Sequence, residues 1–139
     1  MGSFGIELSG SYEETTSEPL AELFFGNDKE RVVLDTSMWP ETSYVEHWKE
    51  TAKLLCNSRA GEFRIFTSSL SRSDAVVWPA IRDDGYAIIG NMVVPMTDLH
   101  LTGYLLEPSA KFSRFLHSPD SQGSSWRVPI SDVRRFAES

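Results

Sequence analysis

The sequence predicts a single α+β domain, with a central, largely antiparallel sheet packed against about three helices. Three observations lead there. Two β-rich runs, 75–81 and 86–94, flank a turn that contains Asp84-Gly85, and runs joined that way pair as an antiparallel hairpin. Tyr44, Trp48, Ala52 and Leu55 recur at steps of four, four and three, which marks one buried face of an amphipathic helix. Strand-like and helix-like segments are interleaved, and the hairpin rules out a sheet that is parallel throughout. With 139 residues, 40% of them hydrophobic, the chain has enough apolar material for one core and too little length for two.

Taken in order, residues 4–8 read as a short strand and SGSYEETTSEP as a polar loop. SEPLAELFFG reads as one or two helical turns, capped by Ser17, with Pro19 in the first turn and Gly26 as the stop. Residues 27–30 follow as a turn and 31–34 as a strand. Trp39-Pro40 breaks the chain, Thr42 or Ser43 caps the helix of the Tyr44 stripe, and residues 57–61 end it. GEFRIFTSSL alternates as a strand before the loop SSLSRSD. Pro79, lacking an N–H, is expected at an edge or a bulge. Residues 99–106 suit a further strand, and 108–116 fit either strand or helix. HSPDSQGSS is a loop, 125–128 a short strand, and 130–137 a helix with Ile130, Val133 and Phe136 on one face.

The net charge of -7 is unevenly spread: residues 1–50 hold eleven Asp/Glu against three Lys/Arg, whereas 51–139 hold nine against ten. Such an acidic half repels nucleic acid and anionic membranes and steers basic partners inward. No apolar run is long enough to span a bilayer and no secretory leader is evident, so a cytoplasmic protein is expected. Cys56 is the single cysteine. It falls near the C-terminal end of its helix, where the dipole does not favour a thiolate, so a structural role is expected of it.

Motifs for chemistry are few. His47, His100 and His117 sit in different segments and lack the spacing that brings two imidazoles together, so no metal or other cofactor is expected. Ser68, Ser69, Ser71 and Ser73 lack a nucleophile elbow and read as turn residues. Asp83-Asp84 is explained by the hairpin turn. A catalytic group could be assembled from His47 with Glu46 or Glu50, because a carboxylate one turn away raises and orients an imidazole. Yet Glu46, Lys49, Glu50 and Lys53 alternate in sign, the pattern of a solvated helix face. On that reading His47, Glu46 and Glu50 point to solvent. Trp39 and Trp78 each precede a proline, which places them at bends or edges where an aromatic can anchor a partner.

Four segments in order, YVEHWKETAKLL, EFRIFTSS, VVWPAIRDDGYAIIGNMVV and GSSWRVPISDVRRF, resemble the small immunity proteins of bacterial contact-dependent growth inhibition and related polymorphic toxin systems. The resemblance rests on Trp48, Thr67-Ser68, Trp78, Asn91 and Trp126 and covers residues 31–137. It implies a non-enzymatic protein that occludes the active site of a cognate toxin domain, such as a nuclease with a basic cleft. The acidic half would then face the partner, with Glu13, Glu14, Glu18, Glu22, Asp28, Glu30, Glu41 and Glu46 as contacts and Trp39 and Trp78 as anchors. Two other readings stand beside it: a small hydrolase or nucleotide-modifying enzyme built on His47, and a structural or adaptor domain.

Overall fold

A computed structural model describes residues 4–117 and 125–139; the central part of the expected HSPDSQGSS loop lies outside the described residues. Strands β1 (Phe4–Tyr12), β2 (Pro19–Phe25) and β3 (Asp28–Val33) form an antiparallel meander. The helical turns expected over 17–26 are therefore strand β2. Pro19, Ala21, Leu23 and Phe25 are buried while Leu20, Glu22 and Phe24 face the other way, and that period of two overrides the capping signals. Ser17 and Gly26 bracket the strand with φ of 59° and 63°, so both supposed helix ends are turn residues. Gly26-Asn27 is a two-residue link, with Phe25 opposite Asp28. Residues 28–30, expected as a turn, belong to β3.

Helix α1 (Glu41–Cys56) starts directly after Pro40, with no side-chain cap from Thr42 or Ser43, and buries Tyr44, His47, Trp48, Thr51, Ala52 and Leu55. Strands β4 (Phe63–Leu70), β5 (Asp74–Asp83), β6 (Tyr86–Gly90) and β7 (Met92–Pro95) come next. The predicted hairpin is present, with Asp83 opposite Tyr86 and Asp84 at φ 53°. Its return arm is divided at Gly90-Asn91: β6 pairs with 80–83 and β7 with 74–77, leaving the ladder open opposite Trp78 and Pro79. Pro79 thus lies in the central strand, not at an edge, and the gap answers its missing donor.

After a 3-10 turn, β8 (Leu99–Thr102) and β9 (Leu105–Pro108) make a small hairpin in place of the one strand expected there. Helix α2 (Ala110–Leu116), capped by the Ser109 side chain, resolves the ambiguous segment. Strand β10 (Ser125–Pro129) and helix α3 (Ile130–Glu138) close the chain. The second sheet runs β10-β6-β5-β4, with β7 also on β5. Among the described residues all strand pairings are antiparallel.

Aromatic contacts join the two sheets. The Phe25 ring stacks on Trp126 at 4.5 Å and on Trp78 at 5.6 Å, and Phe4 meets Phe66 and Phe136 at 5.8 and 5.4 Å. Among the described residues no helix is long and apolar enough to cross a membrane.

Candidate functional site

Strand β4 ends its sheet, and an edge strand leaves backbone groups without a ladder partner. Helix α1 supplies them. Thr67 donates its N–H to His47 Nε2 at 2.9 Å, and the Thr67 carbonyl accepts from Trp48 Nε1 at 2.8 Å. The Leu70 N–H reaches Tyr44 Oη at 2.9 Å, and that hydroxyl donates onward to the Asp35 carbonyl at 2.6 Å. Three side chains from two successive turns of α1 therefore take the place of a further strand.

His47 is fully buried, not solvent-facing. Because Nε2 accepts from Thr67, the proton sits on Nδ1 and is donated to the Tyr104 carbonyl at 2.6 Å. Burial holds the ring neutral, with its pKa lowered to about 4 against the opposing effect of the Tyr104 carbonyl. Its remaining polar neighbour is Thr51 Oγ1 at 3.3 Å. Glu46 is exposed and Glu50 only partly covered, and neither carboxylate meets the ring. The His47 acid/base group is thus not assembled: the period-3.6 stripe takes in position 47 beside 44, 48 and 51, and the sign alternation covers only the rest of the helix.

The acidic residues separate into groups. Glu13 and Glu14 lie in the β1–β2 loop, where Glu13 accepts from the Thr15 and Thr16 hydroxyls and amides. These bonds, the Thr15 hydroxyl first, hold its pKa at about 2. Glu18 follows the loop and accepts from the Thr36 N–H at 3.2 Å. Glu22 lies mid-strand and is taken up by Lys29 at 2.7 Å and Arg31 at 3.6 Å. Asp28 and Glu30 lie past the Gly26-Asn27 link, where Asp28 accepts from Trp126 Nε1 at 3.1 Å. Strand β2 separates Glu18 from Asp28 by about 20 Å at the usual rise per residue. Glu41 opens α1 and Glu46 lies one turn on.

The two tryptophans also part company. Trp78 is 2% exposed and donates to Ser68 Oγ at 2.9 Å, so it is a core residue and not a surface anchor. Thr67 pairs with Val77 and Ser69 with Val76, leaving Ser68 as the extra residue of a bulge; the bulge turns its hydroxyl inward to the indole. Trp39, by contrast, is only partly buried. Its ring lies 5.4 Å from both Tyr44 and His47 and 6.3 Å from Tyr104.

Tyr104, Met38 and Asp35 are not among the candidate residues of the sequence reading, yet Tyr104 lies beside Trp39, Met38 precedes it, and Asp35 adjoins the Thr36 that binds Glu18. One sequence signal bears on them: no Lys or Arg occurs at 10–28, 32–48 or 99–110.

The chain is an α+β protein whose second sheet is closed on one edge by helix side chains. No protein-family model matches it, and no curated protein does. Among solved structures it is similar to a chain of the CdiA-CT/CdiI toxin and immunity complex from Enterobacter cloacae. The identity is 16% and the TM-score 0.72, with 97% of this chain and 96% of that one covered. At that identity the likeness is one of fold.

Proposed function

We propose that this chain is an immunity protein: it binds and neutralises the toxin domain of a contact-dependent inhibition effector, and is itself not an enzyme. The observation that carries the reading is the fold, shared over nearly the whole of both chains with a member of a toxin and immunity complex. Two features favour the immunity side of such a pair. His47 is kept neutral by its burial and is committed to structural bonds, and the first fifty residues carry an excess of acid. An acidic face suits a toxin with a basic substrate cleft, such as a nuclease, and occluding that cleft would neutralise it.

The test is to mix the purified chain with the C-terminal domain encoded by the reading frame next to its own, and to follow association and dissociation over a range of salt. A stable complex whose association slows as salt rises, while its dissociation changes little, is the expected result. Absence of a complex would refute the function, and a salt-independent association rate would refute the acidic interface. If the bound toxin domain still binds its own substrate, occlusion is wrong and the immunity rests on binding elsewhere.

A further inference from the structure

Resting on that reading, we infer that the partner docks on one surface, formed where the β1–β2 loop, the 35–41 segment and the tip of the β8–β9 hairpin meet. Met38, Trp39 and Tyr104 lie at its centre and Glu18, Asp35 and Glu41 around them.

The three segments are far apart in sequence and are tied together by specific bonds. Glu18 accepts from the Thr36 N–H at 3.2 Å, joining the loop to the 35–41 segment. Trp39 touches Tyr104 at 6.3 Å, and the Tyr104 carbonyl accepts from His47 at 2.6 Å, fixing the hairpin tip to α1. Asp35 folds its side chain onto the Ser37 N–H at 2.9 Å while its carbonyl is held by Tyr44. A partner therefore meets a surface whose parts are already positioned, which lowers the ordering cost of binding.

Apolar groups stand exposed in the middle of it. Tyr104 is 45% and Met38 39% exposed, and the partly buried Trp39 lies against Tyr104. Exposed aromatics with a rim that excludes water are where binding energy concentrates. The three segments themselves carry acidic side chains, Glu18, Asp35 and Glu41 among them, and no Lys or Arg. That composition selects the occupant: a protein surface presenting Lys or Arg around an apolar contact. A second copy of this chain would set acid against acid, and nucleic acid would be repelled. The acidic residues at the far end of β2 lack this character, because Asp28 and Glu30 are interleaved with Lys29 and Arg31 on β3.

The experiment uses the full chain and the toxin domain of the adjoining reading frame. Tyr104→Ala should weaken binding about tenfold or more, mainly by faster dissociation. Glu41→Lys should slow association several-fold at low salt, with the difference vanishing at high salt. Glu138→Lys, an exposed position on α3 near Cys56 at the other end of α1, should bind within about twofold of the parent. Thermal melts identify any variant that has lost its fold, and hydrogen exchange of the unaltered chain gives a second measurement, in which protection on binding should fall on 35–41 and 101–107. If the unaltered chain binds no toxin domain, the function falls and this surface with it. If it binds, but Tyr104→Ala and Glu41→Lys bind equally well or protection falls elsewhere, the surface is wrong and the function stands.

Discussion

His47 and Thr67 are joined across the edge of the second sheet: the Thr67 amide donates to His47 Nε2 at 2.9 Å, in the direction a neighbouring strand would otherwise occupy. The same ring holds the Tyr104 carbonyl through Nδ1 at 2.6 Å. One imidazole therefore seals β4 and anchors the β8–β9 tip, and the Thr67 bond requires its neutral form, because a protonated Nε2 can only donate.

That requirement makes stability depend on pH. Burial lowers the folded-state pKa of His47 from 6.5 to about 4, so between these values the unfolded chain binds the proton more readily. The contribution is fully present above pH 6.5 and is lost as pH falls towards 4. Integrated over that window it is about 3 kcal/mol. Urea denaturation of the parent and of His47→Gln should show the parent losing about that much more stability between pH 7 and 4. Parallel profiles would mean the ring is not held neutral.

Removing the other two side-chain donors and acceptors should be felt at neutral pH. Tyr44→Phe leaves the buried Leu70 N–H without its acceptor and should destabilise by about 1–3 kcal/mol. Trp48→Phe does the same to the Thr67 carbonyl and adds a small void. Each should lower the urea midpoint with an unchanged slope; a change below about 0.5 kcal/mol in both would show that water can replace the helix at this edge.

The bulge in β4 gives a third expectation. Ser68 Oγ is the acceptor for Trp78 Nε1 at 2.9 Å, and both residues are at most 2% exposed. Ser68→Ala strands the indole N–H and should cost about 1–3 kcal/mol, whereas Ser68→Thr should retain part of the bond. Equal stability of all three would remove the reason given for the bulge.

Much of the fold could be read from the chain, and the failures have physical causes. The α1 stripe and the Asp84-Gly85 hairpin are strong local signals and stand as expected. PLAELFF was misread because its capping residues also suit turns; its two-residue alternation was the better guide, since Glu22 faces away from the core between Ala21 and Leu23. Pro79 is expected at an edge or a bulge because a proline breaks one ladder bond; it lies in the central strand, and the sheet accommodates it by dividing its neighbour into β6 and β7. About three helices are expected and the described residues hold three α-helices, although α2 replaces the one expected near Pro19.

The candidate surface was legible only in part. Glu18, Trp39 and Glu41 were named from acidity and the Trp-Pro break. Tyr104 could not be, because its place beside Trp39 depends on a bond from a histidine 57 residues earlier in the chain. Burial of His47 was missed for a related reason: its partners are backbone groups, which leave no trace in residue identity.

Immunity is the central claim, and growth tests it most directly. The toxin domain of the adjoining reading frame is induced in cells with and without this chain, and colony formation is counted. Growth should collapse with the toxin domain alone and return with the chain present, and Tyr104→Ala should restore it less well. If the chain gives no protection against a domain that is toxic on its own, or if the chain alone arrests growth, it is not the immunity partner.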